Sequence, residues 1–283
     1  MRIPMKDMLQ AAKEGHYGCP APNVFSWNHV ESVFKLSEKH KAPLIVNMAP
    51  IRPLMEPIAE AVKYYERKYT GACITLNLDH GLAYEDCMLA LRYGFDSVMI
   101  DASGKPFEEN IKATAEVVRV AHAMGASVEA ELGHVGYSAS HAVFAQEESK
   151  YTNPDEAQEF LDRTGVDCLA VSIGTSHGVY AGGIPHLNFE LLARLSGELD
   201  VPLVLHGGSS TGDDNLKKAV ETGIQKVNLC SDLENRGYET LQKLIEGIKG
   251  HLPSSMEIYE GLYSGYEEML EHYLLLFGGI GKI

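Results

Sequence analysis

The chain has 283 residues, of which 45% are hydrophobic and 22% charged, and its net charge is −15. That length and apolar content suit one large domain, residues 1–283, and exclude disordered and fibrous classes. The acidic balance, with no basic patch, excludes nucleic acid and anionic membrane as natural partners, and no apolar run reaches the ~20 residues of a membrane span.

The N-terminal stretch MRIPMKDMLQAAKEGHYG lacks the apolar core of a secretory leader. Five scattered cysteines (Cys19, Cys73, Cys87, Cys168, Cys230) form no CxxC pair and read as reduced thiols of a cytoplasmic protein. From residue 18 onward, short apolar runs alternate with amphipathic stretches. The runs are 18–25, 42–49, 72–80, 96–103, 127–134, 168–178, 201–209 and 224–232. Near-continuous apolar runs mark strands buried on both faces, as in parallel sheets. Helices fill the intervals: one opens at Asn28, one at Phe107 with Glu108 and Glu109 in its first turn, and one after the cap Asn153 with Pro154 at its first position. Eight strand–helix alternations predict a (β/α)₈ TIM barrel, with 233–283 as a C-terminal helical extension.

Active sites of such barrels lie at the C-terminal ends of the strands. There the runs offer Asp79-His80, Asp101, Glu129 and Glu131, His177-Gly178, His206 to Ser209, and Asn228 to Asp232. A single histidine at a strand end is usually structural. Three on one rim (His80, His177, His206) instead match a catalytic zinc site with an open position. Asp101 and Glu131 are placed to steady the ligand imidazoles or to serve as alternative metal ligands, and simple solvation at the barrel mouth is the plainer reading of both. Asp79 suits proton transfer, with a helix cap as its plainer reading. The glycine-rich turn Gly207-Gly208-Ser209 and the segment Asn228-Leu229-Cys230-Ser231 fit the barrel phosphate site, where backbone N–H groups approach phosphate oxygens.

The motifs LNLDHG (76–81), SVMIDAS with PFEEN (97–110), SVEAELGHVG (127–136), GVDCLAVSIGTSHGVY (165–180), VPLVLHGGSS (201–210) and KVNLCSDL (226–233) resemble the class II, zinc-dependent ketose-bisphosphate aldolases. The match runs from Met5 to about Glu234. The resemblance implies His80, His177 and His206 as zinc ligands and Asp79 as the catalytic acid/base. It implies Asn23, Gly178, Gly207 to Ser209 and Asn228 to Ser231 as contacts for dihydroxyacetone phosphate. It further implies Na⁺ or K⁺ near the phosphate, a small phosphorylated sugar as substrate, and a homodimer or homotetramer. The implied reaction breaks the C3–C4 bond of a ketose 1-phosphate or 1,6-bisphosphate, with Asp79 taking the C4 hydroxyl proton and no Schiff-base lysine.

Three departures qualify the substrate. The loop 133–154 carries Ala139 where the family has a glutamate that moves the C3 proton, and His141, Glu147 and Glu148 are the alternatives. Glu234 follows the strand-eight motif, and the tail lacks an Asp-Pro-Arg segment, so no cation is offered to a second phosphate except Arg52 or Arg236. Asp101-Ala102-Ser103 replaces the usual Asp-Gly-Ser. Together these predict an aldehyde product without a phosphate. Two other readings stand beside this one. A metal-dependent barrel hydrolase is weakened because the first run has no histidine. A non-catalytic metal- and phosphate-binding sensor draws on the altered loop.

Overall fold

The structure is a computed structural model that describes residues 1–136, 149–178, 180, 183–248 and 250–283. Eight parallel strands build its centre: β1 (Cys19–Pro22), β2 (Pro43–Met48), β3 (Cys73–Gly81), β4 (Ser97–Ile100), β5 (Ser127–Leu132), β6 (Cys168–Val171), β7 (Leu203–Leu205) and β8 (Ile224–Leu229). They run in the order β1-β8-β7-β6-β5-β4-β3-β2, and a parallel bridge between Asn23 and Asn47 closes β1 onto β2. Asn23 N donates to Leu229 O at 2.9 Å while Val24 N donates to Asn47 O at 2.9 Å, so the seam is stitched from both sides. The molecule is a (β/α)₈ TIM barrel.

Among the described residues, nine helices surround the strands or extend beyond them: α2 (Trp27–His40), α3 (Arg52–Lys68), α4 (Tyr84–Tyr93), α5 (Phe107–Ala123), α6 (Pro154–Thr164), α7 (Phe189–Glu198), α8 (Asp213–Thr222), α9 (Ser231–Gly247) and α10 (Ser255–Leu276). Asn153 accepts from Asp155 N and caps α6 in the manner expected of an N-terminal asparagine. The last two helices form the C-terminal extension and pack on each other.

One helix was not anticipated. In α1 (Met5–Gly15), the residues Met5, Met8, Leu9 and Ala12 follow a helical spacing and are all buried. They cluster with Cys19, Ala21, Ile45, Cys73, Cys168, Ala170 and Val204 from the strands. Three of those cysteines stand at the first residue of their strand, so α1 fills the floor of the barrel at its N-terminal end.

The strands are shorter than the apolar runs. β6 stops at Val171, so His177 belongs to the loop beyond it rather than to a strand end; Ser172 to Ser176, with buried Ile173 among them, continue the apolar look past the strand. β7 ends at Leu205, just before His206, and β8 ends at Leu229, with α9 already starting at Ser231. The helix expected from Asn28 begins at Trp27, capped by Ser26.

Leu9 is fully buried on the floor, far in the fold from the opposite rim. Leu9→Ala should therefore cost about 2–5 kcal/mol of stability through the cavity it leaves. Turnover per folded molecule should be unchanged. Thermal unfolding and an active-fraction-corrected rate check this, and a matching fall in rate would show that the floor shapes the rim.

Candidate active site

A backbone irregularity at the end of β3 organises the rim. The β3–β4 register shifts between Leu78 and Gly81, and His80 adopts a left-handed φ of 46°. In a regular strand Asp79 and His80 would face opposite sides. The shift and the left-handed residue bring both to the same mouth, at a conformational cost of about 1–3 kcal/mol for a non-glycine residue. Gly81 packs so closely that an added Cβ would meet Met99 O at 2.6 Å, which fixes where this turn can run.

Three imidazoles meet there. The ring centroids are 4.8 Å apart for His80 and His177, 4.5 Å for His80 and His206, and 5.9 Å for His177 and His206. One ring nitrogen from each lies within 4.8 Å of the others. His80 Nδ1 is hydrogen-bonded to Asp101 Oδ2 at 2.7 Å, and Asp101 Oδ1 accepts from Ser103 Oγ at 2.7 Å. With Nδ1 engaged, Nε2 of His80 is buried and has no hydrogen-bond partner among the described residues. An orphaned buried imidazole nitrogen facing two more imidazoles fits a borderline-soft divalent metal. His80, Asp101 and Glu131 form a second, overlapping group of possible ligands.

His206 fits on one condition. Its Nδ1 contacts Glu131 Oε2 at 2.9 Å and its Nε2 contacts Glu129 Oε1 at 2.8 Å. One of these contacts must yield for His206 to ligate. Glu129 and Glu131 stand two apart on β5 and so project from the same face. Glu129 is fixed in turn by Lys226 Nζ at 2.7 Å, and all three of Glu129, Lys226 and His206 have fully buried side chains. Lys226 is thus an internal counter-ion and not a phosphate contact.

The electrostatics follow from this packing. Burial alone would push the Glu129 carboxyl up, but Lys226 and His206 pull it down to about 2. Burial lowers His80, yet the Asp79 and Asp101 carboxylates outweigh it and raise its basicity. Burial and its two imidazole neighbours hold His177 well below the ordinary value. Asp79 is buried, but His80 and Lys226 outweigh the burial and keep it a carboxylate. Asn228 Nδ2 donates to Asp79 Oδ1 at 2.8 Å and orients it.

A pocket opens over this centre. It is lined by Asn23, Ala49, Pro50, Asp79, His80, Leu82, His177, Gly178, Gly207 to Ser209 and Asn228 to Ser231. Every one of the residues expected to contact substrate lies on it. Asp101 and Glu131 stand behind the histidines and do not line it. Gly207 has φ 66°, and a Cβ there would meet Ser176 O at 2.5 Å, so only glycine fits the turn. Ser209 Oγ accepts from Cys230 N at 3.0 Å and Asp232 N at 3.3 Å, tying the turn after β7 to the start of α9. Asp232 accepts from Ser210 N, Ser210 Oγ and Tyr273 OH, which braces the same turn from α10.

His134 escaped the sequence reading. It contacts Ser103 Oγ at 2.8 Å and lies 3.7 Å from Glu131, joining the two carboxylates behind the imidazoles. Its place directly after the β5 motif was the available signal. Arg52 pairs with Asp86 at 2.6 Å, and Arg236 pairs with Glu268 and Glu239 on the outer helices. Neither lines the pocket. Ala139, His141, Glu147 and Glu148 lie outside the described residues.

A parallel barrel with a histidine and carboxylate cluster that could hold a metal at its C-terminal mouth, beside a glycine-rich turn, has the layout of a barrel enzyme. The family model for class II fructose-bisphosphate aldolase matches residues 3–282, and the chain belongs to that family. Fructose-bisphosphate aldolase of Thermus caldophilus is 33% identical, with 98% of each chain covered. The probable fructose-bisphosphate aldolase of Bacillus subtilis (strain 168) is 37% identical over 81% of each. Among solved structures, the YdjI aldolase of Escherichia coli K12 superposes with a TM-score of 0.86 at 31% identity, covering 100% of this chain and 99% of that one. The protein is an aldolase of a generally metal-dependent family that acts on small phosphorylated sugars. No helix among the described residues is long and apolar enough to cross a membrane.

The Glu129–Lys226 pair yields a test. A carboxyl held near 2 stabilises the fold above the ordinary 4.5, and that contribution is lost as pH falls toward 2. Lys226→Met removes the ammonium and leaves His206 alone to oppose burial, so the Glu129 carboxyl should rise and the stability it contributes above the carboxylate range should shrink. The cost near neutral pH should be about 3–5 kcal/mol, as for a buried pair broken on one side. Unfolding midpoints across pH decide it, and parallel wild-type and variant profiles would refute the assignment.

Proposed function

We propose that the protein catalyses zinc-dependent, reversible cleavage of a ketose 1-phosphate to dihydroxyacetone phosphate and an aldehyde that carries no phosphate. One observation carries this reading: the pocket is lined by His80, His177 and the buried carboxylate Asp79, with His206 directly beneath them and a glycine-rich turn on one wall, and among the described residues no lysine or arginine lines it. His80, His177 and His206 would hold the metal, with Asp101 and Glu131 steadying the first and last of them. Bound there, zinc supplies a Lewis acid that draws electron density from the substrate carbonyl.

The chain's own groups do the rest. Asp79, ionised and oriented by Asn228, takes the C4 hydroxyl proton as the C3–C4 bond breaks; the electron pair stays on C3, where an acid then adds a proton to give dihydroxyacetone phosphate, and condensation runs the same steps in reverse. Gly178, Gly207 to Ser209 and Asn228 to Ser231 bind the phosphate half. The start of the 17-residue helix α9 stands at this wall, where its positive end favours an anion without any basic side chain. Asn23 contacts the substrate from the seam of the barrel. Residues 1–283 act as one catalytic unit. The resemblance further supports Na⁺ or K⁺ beside the phosphate and a homodimeric or homotetrameric assembly.

The relatives named fructose-bisphosphate aldolases favour a second reading, with a 1,6-bisphosphate as substrate. Steady-state cleavage of matched 1-phosphate and 1,6-bisphosphate ketoses, with and without chelator, separates the two. The higher kcat/KM should belong to a 1-phosphate, and activity lost to chelator should return with zinc. A clear preference for the bisphosphate would sink the unphosphorylated-aldehyde reading.

Asp79→Ala should lower kcat by about 10²–10⁴-fold, the usual worth of a positioned acid/base. Zinc content by metal analysis should stay at the wild-type level. Loss of zinc would make Asp79 a support of the metal site instead.

A further inference from the structure

Three asparagines link side chain to side chain across the seam where the barrel closes. Asn77 Nδ2 on β3 donates to Asn47 Oδ1 on β2 at 2.8 Å, and Asn47 Nδ2 donates to Asn23 Oδ1 at 2.9 Å. Asn47 and Asn77 are fully buried, and neither lines the pocket; Asn23 does. The Asn47 backbone also grips this point, since its carbonyl accepts from Val24 N at 2.9 Å.

An amide has two chemically opposite ends, an oxygen that accepts and an NH₂ that donates. Its carbon frame packs almost equally well either way round, so shape alone does not select the end shown to a ligand. Here Asn47 occupies the oxygen of Asn23. The Nδ2 of Asn23 makes no hydrogen bond among the described residues, and it is the end left for the pocket. Asn47 is held in turn because its own oxygen is taken by Asn77.

We propose that Asn47 and Asn77 are positioning residues that fix the amide of Asn23 with its NH₂ toward the substrate, so that the pocket offers a donor to a substrate oxygen at the β1–β2 seam. The relay gives direction to a contact that a free asparagine would offer in either sense. A buried chain of this kind also lets each bond polarise the next, which strengthens the terminal donor. This rests on the assignment of Asn23 to substrate binding.

The test is a double-mutant cycle on the affinity of the zinc-loaded enzyme for dihydroxyacetone phosphate, measured by calorimetry with Asn23→Ala, Asn47→Leu and the pair. Asn23→Ala should weaken binding about tenfold, the worth of one well-placed hydrogen bond to a charged or developing anion. Asn47→Leu should weaken it severalfold in the wild-type background and negligibly in Asn23→Ala, because its effect passes through that amide. Equal losses in both backgrounds, or no loss in either, overturn the relay. An unchanged affinity in Asn23→Ala would instead remove Asn23 from the substrate site and leave the rest of the proposed function standing. If Asn47→Leu does not fold, Asn77→Leu one link back runs the same cycle. The side-chain NH₂ resonances of Asn23 add a second readout: they should shift on ligand binding in the wild type and broaden in Asn77→Leu before ligand is added. Unbroadened resonances with full affinity in Asn77→Leu also overturn the relay.

Discussion

The buried ion pair between Glu129 and Lys226 is the interaction on which the centre of this barrel depends. Two charges with no solvent exposure are tolerable only because each satisfies the other at 2.7 Å and because Glu129 spends its second oxygen on His206. Glu131, two residues along the same strand face, holds the other side of that imidazole. A ring gripped at both nitrogens stays in place until one of the two contacts yields. The position of His206 is therefore set from inside the barrel, by strand geometry, before anything occupies the mouth.

The other half of the centre is set by the opposite device, a break in regularity. β3 gives up its register between Leu78 and Gly81, and His80 takes a left-handed backbone. This local cost turns two successive residues toward one space. Asp101 and Ser103 then fix His80 from β4's end, and Asn228 fixes Asp79 from β8. Rigid interior on one side and strained rim on the other converge on the same few ångströms.

Much of this was legible in the sequence because parallel strands buried on both faces read as apolar runs. The eight runs, the three histidines and the glycine-rich turn could be seen without a structure. What could not be read depended on partners distant in sequence. Lys226 looks like an ordinary strand residue until its carboxylate, 97 positions away, is known. The amide relay of Asn23, Asn47 and Asn77 has the same character. Boundaries failed where buried residues continue past a strand: Ser172 to Ser176, with Ile173 among them, extend the apolar look, so His177 seemed to end β6 when it stands in a loop. The helix α1 is short and precedes the first apolar run, so the period of Met5, Met8, Leu9 and Ala12 stands outside the strand–helix alternation that marks the other helices.

That helix has a consequence for traffic. Met5, Met8 and Leu9 seal the floor with side chains at most 1% exposed, so the barrel is a well and not a tunnel. Whatever reaches the three imidazoles arrives by the rim and leaves by the rim. Among the described residues the rim is the open side, so a ligand lying across that mouth would cover an ion seated beneath it for as long as the ligand stays. Two occupants sharing such a well would load in order of depth, the deeper one first.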